Sequence, residues 1–250
     1  MSEESAPAFR LGYVPGVTPG KWARVWAERI PDVPLELVPV AAAAGESAVR
    51  DGTVDAAVLR LPLPRDGLSV INLYTETSVV VVPEDHAVAA VDELDVADLA
   101  EETVLHPRDD VLDWARLPGQ EAFERPATTE AAVSYVASEV GVLVVPQSLA
   151  RLYHRKDLTY RPVTDAPQSQ VGLVWPSERT TELVEEFVGI VRGRTANSSR
   201  GRQDESQPKQ KRRGERQGSQ PRKVVGDKKP KTRRGNAGRP KSAGRARRRR

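Results

Sequence analysis

The chain has 250 residues, a formal charge of +3 and no cysteine. The missing thiols exclude a disulfide framework and a thiolate metal site, and they suit a reducing compartment. The longest apolar runs, Val79–Val82 and Val142–Val145, fall far short of the ~18 residues a membrane helix needs. The acidic start Met1–Pro7 lacks the apolar core of a signal peptide. The expected location is the cytoplasm, with no membrane partner.

The small net charge hides two segments of opposite sign. From Thr195 to Arg250 there are 21 Lys+Arg against 4 Asp+Glu, a balance of +17, so residues 1–194 carry −14. The basic segment has no aromatic residue, and its only apolar ones are four alanines besides Val224 and Val225. Such a composition cannot bury enough surface to offset an ordering entropy of roughly 1–2 kcal/mol per residue. Residues 195–250 are therefore expected to be a disordered basic tail, and the fold to lie before them.

Phe9–Val14 alternates apolar with small or polar positions and ends at Pro15-Gly16, a strand and its turn. Thr18-Pro19 is an N-cap followed by a first-turn proline, and Trp22, Val25, Trp26 and Ile30 then recur at helical spacing. Leu35–Val40 is a second strand, the stretch around Ser47–Val49 a short helix, and Val54–Leu59 a third strand. That alternation implies a parallel, doubly covered α/β sheet. Strands follow at Ile71–Tyr74, Ser78–Val82 and Thr103–Leu105, with a short capped helix at Asp95–Leu99. Thr128 or Thr129 caps a helix facing inward through Ala132, Val133, Val136 and Val140, and Gly141 ends it. Val142–Val145, Leu158–Val163 and Gln170–Trp175 complete the strands. A last helix from Ser177 buries Leu183, Val184, Phe187, Val188 and Val191. The fold class is α/β.

The order of these segments carries a resemblance. Phe9–Val14, Gly52–Val58, Gly67-Leu68 with the strand after Glu76 ending in Val-Val-Pro, Asp95–Leu99, Val136–Pro146 and Val171–Trp175 together resemble the effector-binding domain of LysR-type transcriptional regulators, over residues 8–194. The resemblance implies a type 2 periplasmic-binding-like fold, two lobes around a cleft. One lobe is expected at 8–82 plus 170–194 and the other at 83–165, with crossings near Val82-Pro83 and Pro162–Gln170. Family members carry a winged helix-turn-helix before this domain, and this chain begins at the domain's first strand. Members also pair through the domain, so a homodimer is an expectation from resemblance.

In open α/β sheets ligands sit at strand C-termini beside helix starts, where free N–H groups favour anions. Thr18 opens the first helix, Gly45 the second, and Thr128 and Thr129 the helix of the other lobe. The resemblance adds Arg60, His106 and Arg108 as ligand contacts. A small anionic metabolite is the expected partner, chosen by local contacts because the folded part is acidic. Each position has a plain alternative: Thr18 and Thr129 as caps, Arg60 as a rim charge, His106 as a loop histidine. His106 with Asp109 and Asp110 is too incomplete for a metal site. Gly16–Trp22 is one residue short of a phosphate loop and places Trp22 where Ser or Thr is needed. No serine elbow or His-Glu-x-x-His is present. No catalytic residue, metal or cofactor is assigned, and no enzymatic activity is expected.

In the tail, Lys211, Arg212 and Arg213, then Lys228 and Lys229, Arg233 and Arg234, Arg239 and Lys241, and finally Arg247, Arg248, Arg249 and Arg250 form clusters able to follow a phosphate backbone by counterion release. Gly238–Lys241 resembles the core of an AT-hook, with Ala237 where a basic residue is usual. The expected function is a small-molecule-sensing, LysR-like regulator with loosely specific nucleic-acid binding through the tail. The alternative is a ligand-binding or scaffold module whose tail meets an acidic protein, and an enzyme on this fold comes third.

Overall fold

The computed structural model describes residues 8–194; the tail clusters lie outside the described residues. In chain order the elements are β1 (Phe9–Tyr13), α1 (Gly20–Arg29), β2 (Leu35–Pro39), α2 (Gly45–Arg50), β3 (Ala56–Leu61), β4 (Leu68–Glu76) and β5 (Ser78–Pro83). There follow β6 (Thr103–Leu105), β7 (Gln120–Glu121), α3 (Thr129–Val136), β8 (Val142–Pro146), α4 (Gln147–Leu152), β9 (Leu158–Pro162), β10 (Ser169–Pro176) and α5 (Glu182–Val191). Two five-stranded sheets result, ordered β2-β1-β3-β10-β4 and β7-β6-β8-β5-β9. Each is the centre of one lobe.

In the first lobe β1, β2 and β3 run parallel, as the strand–helix alternation requires, whereas β10 is antiparallel to both β3 and β4. The sheet is therefore mixed, correcting the all-parallel expectation. The returning strand enters it from the opposite end. Phe9 on β1 stacks on Trp26 of α1 at 4.8 Å between ring centroids, and Phe187 of α5 packs at 5.6 Å from Phe9. The Trp26 indole N–H donates to the Val33 carbonyl (2.8 Å), so its one polar atom is satisfied on burial. Gly12 sits where a Cβ would come within 3.0 Å of the Ala57 Cβ, which lets β1 and β3 pack side by side.

The second lobe explains the unbroken valine runs. On β5, Val79 and Val81 face a core shared with Ala132, Val133 and Val136 of α3, while Val80 and Val82 face a second core with Leu94, Leu99 and Val163. Strand β5 lies between β8 and β9, so both of its faces are covered. This placement moves the first crossing. The chain passes between lobes at Thr77, between β4 and β5, and not at Val82-Pro83, because β5 pairs with β8 and β9 and with no strand of the first sheet. The return runs through residues 163–168 into β10.

Three other expectations shift. Helix α3 ends at Val136, and Glu139 takes a left-handed turn (φ 57°), so Val140 is exposed and not part of the inward face. Gly141 is needed for packing: a Cβ there would lie 2.4 Å from the Thr103 carbonyl oxygen. The last helix starts at Glu182, where the Thr181 hydroxyl accepts from the Val184 N–H; Ser177–Arg179 is a separate 3₁₀ turn. The short helix near Asp95 is also a 3₁₀ turn, Val96–Leu99, with Asp95 and Asp98 capping reciprocally.

Candidate ligand cleft between the lobes

Strands β1 and β2 both end at the boundary between the lobes, and the loops after them form one wall of a cleft. Helix α4, which follows β8, forms the other. The space between them measures about 750 Å³ and is lined by Tyr13, Gly16 and Thr18 on one side, Tyr74 and Glu76 of β4, and Ser148, Arg151 and Tyr153 opposite.

The back of the cleft is closed by a buried polar clasp. Arg60, at the end of β3, donates from Nη1 to Glu76 Oε2 (2.5 Å) and to Ser169 Oγ (2.8 Å). Its Nη2 donates to the Pro15 carbonyl (3.1 Å) and to Ser148 Oγ (3.1 Å). Ser148 in turn donates to Glu76 Oε2 (3.0 Å). The side chains of Arg60 and Glu76 are only 7% and 9% exposed. Ser148 belongs to the second lobe and the other members to the first, so the clasp ties the lobes together. It also consumes the Arg60 guanidinium, which takes part in the cleft as a structural cation already neutralised by Glu76.

Above the clasp, the open cleft offers hydrogen-bond donors. Burial raises the Tyr74 phenol above its ordinary range, the Glu76 carboxylate adds to this, and Arg60 opposes it. Tyr153 is raised by burial first, then by Glu130 and Asp109. Both phenols therefore keep their protons at neutral pH and act as donors. Arg151 is an exposed cation on the α4 wall, with Nε 3.3 Å from the Tyr160 hydroxyl. Pro19, not Thr18, occupies the N-cap position of α1, and no side chain caps the helix. The Thr18 hydroxyl and the first-turn amides are thus left to other acceptors.

The remaining residues singled out from sequence lie in other settings. Gly45 is buried, and a Cβ there would come within 2.5 Å of Leu59 Cδ2, so it serves packing at the start of a six-residue helix. Thr128 caps α3 by accepting from the Ala131 N–H (3.1 Å). Thr129 is 3% exposed and donates to Asp109 Oδ1 (2.9 Å), anchoring the preceding loop to the helix. Arg108 is exposed, with its N–H on the Pro126 carbonyl. His106 places Nε2 3.0 Å from Asp110 Oδ2 and lines a different cavity, inside the second lobe. Burial lifts the Asp110 carboxyl above its usual range against the pull of the Leu112 N–H and His106. Among the described residues no group of acidic or histidine side chains could hold a metal ion.

A Thr129→Val chain is expected to lose about 0.5–1.5 kcal/mol, the worth of one hydrogen bond whose partner Asp109 can turn to solvent. Urea unfolding followed by circular dichroism measures it.

A pair of α/β lobes joined by two crossings, with strand ends and helix starts facing one cleft, is the architecture of a periplasmic-binding-like ligand domain. The chain belongs to the LysR substrate binding domain family, whose model matches residues 2–196. Among curated relatives, a probable hydrogen peroxide-inducible genes activator of Mycobacterium leprae (strain TN) is 31% identical over 154 residues, 57% of this chain and 50% of the relative. A protein of the same description from Mycobacterium avium is 29% identical over 198 residues, 73% of this chain and 64% of the relative. The chain thus spans half to about two thirds of the length of these relatives. The solved structure of the BenM effector binding domain with its effector benzoate shares the fold, with a TM-score of 0.64 at 18% identity over 75% of this chain and 91% of that one. The named relatives are gene activators, not enzymes.

Proposed function

We propose that the chain is the sensing part of a cytoplasmic transcription regulator, acting as a homodimer, whose interlobe cleft takes a small organic anion. The observation that carries this reading is the cleft itself, a space of about 750 Å³ between Thr18 and the α1 start on one lobe and Arg151 and Tyr153 on the other. An anionic oxygen there meets helix-start amides, phenol donors and one guanidinium not engaged with a carboxylate. The BenM domain with benzoate supports a carboxylate in this fold. The mycobacterial activators are named for hydrogen peroxide-inducible genes, but this chain has no cysteine, so its own residues cannot sense an oxidant through a thiol. The basic tail supplies sequence-tolerant contact with nucleic acid.

Titration calorimetry of the full chain with small carboxylates, benzoate first, tests the cleft. Arg151→Ala is expected to weaken the bound carboxylate about tenfold, the value of one charge-assisted hydrogen bond. Equal affinity in Arg151→Ala and the unaltered chain overturns the assignment. Fluorescence anisotropy with duplex DNA over a salt series, for the full chain and one ending at Arg194, tests the tail. Steep salt dependence lost on truncation is the expected outcome, and absence of binding by the full chain at physiological salt refutes a nucleic-acid role.

A further inference from the structure

Residues 106–128 connect β6 to α3 with only β7 as regular structure, yet the stretch from His106 to Arg125 is tied down at both ends. Arg125 donates from Nε to the His106 carbonyl (2.9 Å) and from Nη2 to the Pro107 carbonyl (3.0 Å). The Gln120 N–H donates to the Glu102 carbonyl (2.8 Å), and Leu112 and Pro118 are buried pegs. Gly119, at φ 64°, lies so close to the turn before β6 that a Cβ would come within 2.5 Å of the Glu102 carbonyl oxygen. Between these anchors the segment stands off the sheet and leaves a cavity of about 300 Å³.

Val104, Val144 and Trp114 line it on the side of one core cluster, Leu105 and Ala122 on the side of the other, and the exposed Leu117 completes the apolar wall. Its lining shares no residue with the interlobe cleft. The exposed Arg116, Leu117, Glu121 and Glu124 leave it open to solvent on one side, and its size falls at the lower end of small-molecule pockets. The volume suits a single ring.

The polar groups at the wall are uneven. Asp110, Glu121 and Glu124 bring carboxylates, and the Arg125 guanidinium is spent on two backbone carbonyls. His106 is engaged through Nε2, 3.0 Å from Asp110 Oδ2, which leaves Nδ1 as the ring's other polar atom. Arg116 is the remaining cation of the lining. An anion would meet more carboxylates than free cations here, whereas a neutral ring with one donor meets apolar walls and acceptors.

We propose that this cavity is a second small-molecule site, lying wholly within one lobe, for a neutral single-ring aromatic with one O–H or N–H donor, the chemistry of a phenol. It is independent of the anion reading for the cleft. Methyl and indole NMR spectra of the full chain, titrated with p-cresol, test it. Saturable shifts are expected at Val104, Leu117, Val144 and the Trp114 indole, without shifts at Leu152 in the cleft. Toluene, which lacks the donor, and benzoate, which is anionic, are expected to bind about tenfold more weakly at these positions.

Ala122→Phe, which sends a ring into the cavity from a half-buried position, is expected to abolish the p-cresol shifts with the other methyl signals in place. Leu117→Phe does the same from an exposed position should the first variant lose its spectrum. Saturable binding that survives in both variants, shifts confined to the cleft, or no shift at these four positions up to about 10 mM, far above useful affinity, overturns the proposal. Benzoate binding in the cleft without p-cresol binding here refutes this site and leaves the cleft reading intact.

Discussion

An Arg60→Met chain is expected to unfold about 3–5 kcal/mol more easily than the unaltered protein, the usual consequence of stranding one member of a buried ion pair. At about 2–4 °C per kcal/mol for a domain of this size, that is a melting temperature lower by roughly 10 °C. The reason lies in what Glu76 would keep. Its carboxylate is almost fully covered, it accepts from Arg60 and Ser148, and among the described residues Arg60 is the one cation paired with it. Methionine fills the space and leaves a buried charge facing one hydroxyl. Glu76→Met strands the guanidinium instead, although Ser169, Ser148 and the Pro15 carbonyl still hold it. The double variant Arg60→Met with Glu76→Met removes both charges, and it is expected to recover much of the loss because apolar pairs often replace buried ion pairs at little cost. Thermal unfolding of the four chains gives the coupling energy. A double variant as unstable as the sum of the singles would mean that the two charges do not stabilise each other.

That clasp shows where reading the sequence reached and where it stopped. Arg60 is marked by its place after a strand, and the family resemblance brings it to the cleft. Nothing within Val58–Leu61 tells that its partners stand at Glu76, Ser148 and Ser169, because those meetings depend on the second lobe's docking. Local patterns fared better. Phe9, Trp26 and Phe187 declare their burial by strand and helix periods, and each has almost no exposed surface. Asp95–Leu99 reads as a short capped stretch, and the structure closes the cap reciprocally between Asp95 and Asp98.

Errors arose where one residue type serves two ends. Pro146 both closes β8 and precedes α4, a helix absent from the elements expected above, which supplies Ser148 and Arg151 to the cleft. The valines of β5 are equally compatible with either sheet, and their pairing is settled by neighbours distant in the chain. Gly45 stands at a helix start, where a ligand is expected, but Leu59 lies against it. His106 follows a strand as a ligand contact should, yet the loop to Arg125 turns it toward Asp110 and away from the cleft.

A Gly16→Val chain is expected to lose roughly 2–5 kcal/mol, from two sources that separate variants can resolve. Gly16 has φ 86°, in the left-handed region, where an L side chain costs about 1–2 kcal/mol. A Cβ at this position would also stand 2.4 Å from Ser148 Oγ and 3.1 Å from Arg60 Nη2, and such overpacking costs about 1–3 kcal/mol where neighbours resist. They resist here because Ser148 is held between Arg60 and Glu76. The least costly relief moves α4 away from the loop after β1, which widens the cleft and undoes the clasp's link between lobes. Hydrogen exchange is therefore expected to quicken at Gln147–Leu152 before it does in β1 or β3, as a local opening ahead of global unfolding. Adding Ser148→Gly to the valine variant removes the clash and retains the backbone penalty. Recovery of slow exchange in α4, with a stability still below that of the unaltered chain, would show that the clash with Ser148, and not the backbone penalty at position 16, is what opens the helix. Unchanged exchange in the single valine variant would place the strain within the first lobe and deny the clasp a role in closure.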